Sequence, residues 1–261
     1  MGSLAIIGAG AMGEAIIAGL LKSGIPASEI GIIEKRAERS QELVSKYEVR
    51  ELSDLRGIST CFLVVKPNDL AGTLATYGPG IPADALVISL IAGKPTSIIE
   101  SLIPNRVVRV MPNTPALLGA GMAAISGGSR VNTADLDAVA KLLAGTGRVL
   151  RVDESLQDAV TAVSGSGPAY FFLIAEAMIA AGVELGLSYE VATELTIQTL
   201  RGAGQMLAES GLDAQTLRAN VTSPNGTTAA AIQVLKDGGL EQLFSKALAA
   251  ARNRSRELAS G

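Results

Sequence analysis

From Ser3 to about Val152 the chain alternates short β-branched, apolar runs with longer segments whose apolar positions recur at helical spacing. The runs predict strands at Leu4–Ile7, Glu29–Glu34, Thr60–Val65, Leu86–Leu90, Val107–Met111 and Gly147–Val152. Amphipathic or alanine-rich stretches between several of them, such as Met12–Lys22, Ala37–Lys46 and Ala134–Ala144, predict helices. Strand–helix alternation implies a mostly parallel sheet covered on both faces. After about Asp153 the strand signals stop. The rest reads as helix: Glu154–Val163, Pro168–Gly186, Tyr189–Ser210, Ala214–Ala219, Thr227–Lys236 and Leu240–Leu258. Ser166-Gly167-Pro168 and Ser188 carry start signals, and Gly186 and Gly238-Gly239 carry stop signals. The pattern predicts an α/β domain over residues 1–152 and an all-α domain over residues 153–261.

One helix sharpens this picture. "PAYFFLIAEAMIAAGVELG" is apolar on nearly every face, and a helical domain of about 100 residues cannot surround such a helix alone. The expectation is an obligate oligomer in which helices of two subunits pack together. Glu176 and Glu184 interrupt the apolar stretch Tyr170–Leu187, which argues against a membrane span.

Composition narrows the function. The 261 residues are 48% hydrophobic and 18% charged, so a folded core is expected. A net charge of −3 and few aromatics argue against a nucleic-acid partner. The single cysteine, Cys61, points to a reducing cytoplasm, and no signal peptide is read ahead of the first strand. Met1-Gly2 opens like an acylation signal, but Ile6 stands where Ser or Thr is needed. The absence of histidine excludes Ser-His-Asp chemistry and argues against a metal site.

The first strand runs into Gly8-Ala9-Gly10-Ala11-Met12-Gly13, a full G-x-G-x-x-G between strand and helix. That context makes a Rossmann-like dinucleotide turn: Gly8 for the tight turn, Gly10 for close approach of pyrophosphate, Gly13 for helix–strand packing. The helix start would add free N–H groups and partial positive charge. The second strand ends "IGIIEKRAER". Glu34, about 20 residues past Gly13, suits a ribose 2′-hydroxyl and hence NAD(H). Lys35, Arg36 and Arg39 suit a 2′-phosphate and hence NADP(H). The choice between the two stays open at this level. "FLVVKPND" and "VVRVMPNTPALLGAG" end two further strands at what should be the cofactor edge of the sheet, with two prolines stiffening the turn around Asn113.

Late in the chain "VTSPNGTTAA" (Val221–Ala230) breaks two helices. Ser223-Pro224 and Thr227-Thr228 each resemble a helix start, and Asn225-Gly226 folds the chain between them. Free amides and three hydroxyls would then converge into a carboxylate cradle without arginine.

Together "GAGAMG", "VVKP", "RVMPNTPALLGAGM", "SGSGPAYFFLIAEAM" and "VTSPNGTTAAAIQVL" resemble pyrroline-5-carboxylate reductases, in order and over essentially the whole chain. One departure is Asn225, where the family usually has glycine. The resemblance implies a Rossmann-like domain for NADP(H), or NAD(H), and a helical domain that forms a homodimer, with dimers able to form a ring. It implies reduction of a cyclic imine carboxylate, 1-pyrroline-5-carboxylate, to L-proline by hydride transfer to C=N. It also implies site residues. Ser223, Asn225, Gly226, Thr227 and Thr228 would hold the substrate, with Thr228 also near the ring nitrogen as proton donor or water holder. Glu154 would balance the cationic imine. Gly8 to Gly13, Glu34, Lys35, Arg36, Val65, Lys66, Pro67, Ala92, Gly93, Asn113 and Asn220 would line the cofactor. Two rival readings are a dehydrogenase of the 6-phosphogluconate or β-hydroxyacid type and a dinucleotide-binding protein without catalysis. The first needs a catalytic lysine in the helical half, where only Lys236 and Lys246 occur, outside any matching motif.

Overall fold

The strand runs assemble into one eight-stranded sheet in a computed structural model describing residues 3–260, with side chains through 258. The acylation reading at Met1-Gly2 therefore falls outside the described residues. The strands are β1 (Ser3–Ile7), β2 (Ile30–Ile33), β3 (Arg50–Glu51), β4 (Ile58–Leu63), β5 (Leu86–Ser89), β6 (Arg106–Met111), β7 (Gly121–Gly127) and β8 (Gly147–Arg151). They lie in the order β3-β2-β1-β4-β5-β6-β7-β8, and among these neighbours only β6 and β7 run antiparallel. The chain reverses its direction of travel across the sheet between β1 and β4. In an open α/β sheet, that switch point is where a crevice forms beyond the strand ends.

The central strands are apolar at successive positions because both faces are covered. Leu4 and Ile6 of β1 enter one core with Ile16, Ile17 and Leu20, while Ala5 and Ile7 enter a second with Leu63, Val87 and Ile99. Fully burying each such Ile or Leu contributes about 1.5–3 kcal/mol. The helices of this part are α1 (Ala11–Lys22), α2 (Ala37–Tyr47), α3 (Leu70–Tyr77), α4 (Thr96–Leu102), α5 (Thr133–Leu143) and a short α6 (Gln157–Val160). Asn132 opens α5 with a reciprocal capping box to Asp135.

The sequence pattern did not anticipate β3 or β7. "GMAAISG" lacks a β-branched alternation, and it becomes a strand through its ladders to β6 and β8. The segment Glu154–Val163, expected as one helix, is a 3₁₀ turn (Glu154–Leu156), α6 and a π-helical turn (Thr161–Gly165).

No strand follows Arg151 among the described residues. The chain continues through α7 (Gly167–Glu184), α8 (Tyr189–Glu209), α9 (Ala214–Asn220), α10 (Thr227–Asp237) and α11 (Leu240–Ser260). Ser188 caps α8 by accepting from the Val191 amide, and Gly186 (φ 98°) and Gly239 (φ 75°) terminate helices as their positions suggest. By compactness, residues up to Pro168 and from Ala249 onward form one unit, and Ala169–Leu248 form the other. Within the helical unit Tyr170 meets Phe244 edge to face at 6.5 Å. Phe171, Phe172 and Leu173 are each more than 60% exposed in a single chain. A helix does not keep such a surface in water without a partner.

Candidate active site

The glycine turn shows why its residues cannot be exchanged. Gly8 has φ 91°, and a Cβ there would stand 2.5 Å from the Val64 carbonyl oxygen. A Cβ on Gly13 would come equally close to the Gly8 oxygen, so α1 and β1 could not approach. Gly10 differs: a Cβ there would meet nothing within 4 Å. Its front is open, as a pyrophosphate seat requires. Gly10 also precedes α1 without any side-chain cap, which leaves first-turn amides to an anion. Ala11 opens α1, and Met12 packs partly against the first core.

In front of this turn lies a cavity of about 380 Å³. Its walls include Gly8, Gly10, Glu34, Lys35, Arg36, Val65 and Lys66, so the glycine turn, the end of β2 and the end of β4 meet as the sequence suggested. Pro67 opens the 3₁₀ turn that follows Lys66. Thr73 and Tyr77 of α3 also line it. No sequence signal marked them. Thr73 Oγ1 is buried and has no hydrogen-bond partner among the described residues.

The end of β2 resolves part of the charge puzzle. Glu34 accepts from the Ala9 amide (3.0 Å) and from the backbone and Nε of Arg36 (3.1 and 3.0 Å). Burial opposes its ionisation, but the bonds from Arg36 and Ala9 outweigh this and hold its pKa below the usual carboxylate value. Arg36 stays 65% exposed at the lip, beside Lys35. Arg39 turns away: Nε donates to the Ala9 carbonyl (3.2 Å), and its other nitrogens pair with Glu14 and Glu42.

Three expected residues carry structural duties. Glu154 accepts from the amide (2.7 Å) and hydroxyl (2.6 Å) of Thr96 at the start of α4, and it pairs with buried Arg109 (3.6 Å). Both oxygens thus bond within the chain itself. Asn113 accepts from the Met122 amide (2.9 Å) and donates to the Ser164 carbonyl (3.3 Å), pinning β6, β7 and the π turn together. Gly93 (φ 74°) is covered: a Cβ there would touch Leu258 and the Ser255 carbonyl, each 3.0 Å away. Ala92-Gly93 therefore abuts the last turns of α11. Ser255 adds a hydroxyl bond to Asp158 (2.7 Å).

The break between α9 and α10 has a definite geometry. Asn220 ends α9 and is exposed. Asn225 takes the left-handed conformation (φ 58°) that the family's glycine would adopt freely, and asparagine tolerates it. The Gly226 amide closes the turn on the Ser223 carbonyl (3.0 Å). Only Thr227-Thr228 begins a helix; Ser223-Pro224 lies in the turn instead of starting a second one. Gly226 stands at the N-cap of α10 without a side chain to offer. The first amides of α10, the Ser223 hydroxyl and the two threonines thus belong to one tight turn, with no basic side chain before Lys236.

Two other chemistries find no support. Burial pushes the Cys61 thiol up to about 12, so it is no nucleophile. Among the described residues no cluster of metal-ligating side chains occurs.

Residues 154–258 match the family model described as pyrroline-5-carboxylate reductase dimerisation, and residues 3–93 match one described as NADP oxidoreductase coenzyme F420-dependent. The pyrroline-5-carboxylate reductase of Pseudomonas aeruginosa is 41% identical, over 98% of this chain and 96% of its own. That of Mycobacterium tuberculosis is 39% identical, over 99% and 97%. Among solved structures, a pyrroline-5-carboxylate reductase from Coxiella burnetii superposes with a TM-score of 0.90 at 35% identity, covering 99% of this chain and 98% of that one. The Plasmodium falciparum enzyme with NADP bound reaches 0.88 at 28% identity, with 98% of both chains covered.

Proposed function

We infer how the reaction is carried out from the premise that this chain belongs to the pyrroline-5-carboxylate reductase family. It is an NADP(H)-binding oxidoreductase of proline biosynthesis that reduces the C=N bond of 1-pyrroline-5-carboxylate to L-proline, and it forms a homodimer. Bound NADPH supplies the hydride; the chain's own residues must orient two rings and manage their charges.

In our reading residues 1–152 hold the cofactor and residues 153–261 supply dimerisation and substrate contacts. The glycine turn Gly8–Gly13 seats the pyrophosphate, Lys35 and Arg36 face the 2′-phosphate, and Val65, Lys66 and Pro67 floor the crevice. The open space before Gly10 and the unpartnered Thr73 hydroxyl support this. The substrate carboxylate sits at the start of α10, held by Ser223, the Gly226–Thr228 amides and the threonine hydroxyls. Thr228 donates or relays the proton at the ring nitrogen, and Asn220 lies toward the nicotinamide. The observation that carries this is the N-terminus of α10, where Gly226 offers no side-chain cap, the Ser223 hydroxyl lies beside it and Thr227 and Thr228 form the first turn. It fits a carboxylate whose ring nitrogen is itself cationic: an added arginine would repel the protonated imine. Glu154, Asn113 and Ala92-Gly93 act here as supports around the site.

The helical run Glu154–Glu184 has the length and composition of a membrane span, with almost none of its apolar stretch buried in one chain. It falls within the dimerisation match, so a second copy is the cover we assign to it. A ring of dimers in the cytoplasm is the finer proposal, resting on the family resemblance and tested by sedimentation.

The direct test is oxidation of NADPH and NADH, side by side, with 1-pyrroline-5-carboxylate. Thr228→Ala should lower kcat/KM by about one to two decades, equivalent to about 1.4–2.8 kcal/mol of transition-state contact. Its folding and oligomer size should stay unchanged. Normal turnover by this variant would refute the assignment.

A further inference from the structure

We propose that Arg39 is a positioning residue for the cofactor's diphosphate and makes no contact with its 2′ substituent. This rests on the reading that the glycine turn binds the cofactor. All three guanidinium nitrogens of Arg39 are engaged inside the protein: Nε with the Ala9 carbonyl (3.2 Å), one terminal nitrogen with Glu42 (2.8 Å), the other with Glu14. The side chain is 17% exposed. Glu14 itself is held by Lys46 Nζ (2.8 Å) and the Tyr47 hydroxyl (2.9 Å). With that much positive charge around it, Glu14 stays ionised and keeps Arg39 in place. These bonds fix where the guanidinium sits, and a phosphate reaching the terminal N–H groups they leave over would stand beside the Glu14 and Glu42 carboxylates.

The bond to Ala9 does something specific. A trans peptide is planar, with its C=O and the following N–H pointing in opposite directions. Arg39 draws the Ala9 carbonyl toward α2, so the Gly10 N–H must point away from it, on the opposite side of the turn. On the other flank the Ala9 N–H is tied to Glu34 Oε2 (3.0 Å). The residue between the two glycines is thus clamped through both of its peptide groups, and Gly10, which lines the cavity, is fixed in orientation. Preorganised amides bind an anion without first paying to be aligned. The diphosphate is common to NADH and NADPH, so Arg39 serves both equally, whereas Lys35 and Arg36 face the group that differs.

The test is binding of NADPH and of NADH, each followed by fluorescence titration without imine, to the intact enzyme and to Arg39→Met. Both dissociation constants should rise by the same factor, about tenfold, the scale of one charged hydrogen bond. In turnover assays the loss should appear in the KM for either cofactor and be recovered at saturating cofactor, with the KM for the imine unmoved. Should Arg39→Met fail to fold, Glu14→Gln, which loosens Arg39 from one side, should raise both constants equally by a smaller factor. A rise confined to NADPH would make Arg39 a 2′-phosphate contact and overturn the proposal. Unchanged binding of both cofactors would overturn it too. Because the titration needs no imine, a failure of the unaltered enzyme to reduce 1-pyrroline-5-carboxylate would speak against the activity alone.

Discussion

Gly226→Ala isolates the substrate cradle with a single methyl group. Gly226 has φ −81° and ψ 172°, an extended conformation that alanine adopts without strain. The added Cβ would stand 2.4 Å from Ser223 Oγ and 3.2 Å from the Ser223 carbonyl oxygen. The hydroxyl is the movable party, and rotation about χ1 carries it out of the way at a cost of about 1 kcal/mol or less. Stability should hardly change. In the proposed cradle, the substrate carboxylate would then lose the Ser223 hydroxyl. A hydrogen bond to a charged group is worth about 1.5–3 kcal/mol, so the KM for 1-pyrroline-5-carboxylate should rise by roughly 10- to 150-fold. The assay is steady-state NADPH oxidation at saturating cofactor, beside thermal unfolding and NADPH titration, both expected to match the unaltered protein. A double-mutant cycle makes the mechanism explicit. If the methyl acts only by displacing the hydroxyl, Gly226→Ala with Ser223→Ala is no worse than either alone. An unmoved KM, or penalties that multiply in the double variant, would refute the reasoning.

Two roles within the glycine turn, phosphate seat and tight turn, separate cleanly. Gly10→Ala should leave the melting temperature unchanged, because its Cβ meets nothing within 4 Å, yet weaken NADPH binding at least tenfold by filling the phosphate seat. Gly8→Ala meets a carbonyl at 2.5 Å and a positive φ, and denaturant titration should show a loss of about 1–2 kcal/mol or more from backbone strain alone. Glu154→Gln removes the nearer acidic partner of buried Arg109 and should cost about 1–3 kcal/mol in unfolding, with the KM for the imine unchanged; a selective rise in that KM would restore Glu154 to the substrate site. Glu14 is held at a pKa of about 2 by Lys46, then Arg39 and Tyr47. A depressed carboxylate contributes stability above its unfolded value and loses it as pH falls toward the folded one. The difference in unfolding free energy between the unaltered protein and Glu14→Gln should therefore be full at pH 7 and shrink from about pH 4.5 to about pH 2.

Much of this molecule is legible from residue order because the relevant physics is local. β1, β2, β4, β5 and β6 announce themselves as apolar runs that the sheet buries, and β8 as a short run around Val149 that stays partly exposed. Helix stops at Gly186 and Gly239 follow from the positive φ that glycine alone accepts cheaply. The left-handed Asn225 is readable for the same reason. β7 was not legible: an Ala-Gly-rich segment has no period of its own, and ladders to β6 and β8 decide its conformation. Nor did any local pattern mark Thr73, which α3 brings to the cavity wall.

What the order of residues determined was most of the strands and helices, the glycine turn, the unbroken apolar helix that demands a partner and the break before α10. Which charge meets which was decided only by the tertiary structure. Lys35, Arg36 and Arg39 look alike along the chain, yet the turn after β2 leaves Arg36 at the lip and sends Arg39 beneath Ala9. Nothing along the chain marks Thr96 and Arg109 as partners of Glu154; the folded sheet brings them against it. Helix and strand preferences act over a few neighbours. A charged side chain is assigned by whatever the folded backbone sets within about 4 Å of it, and sequence spacing carries no record of that.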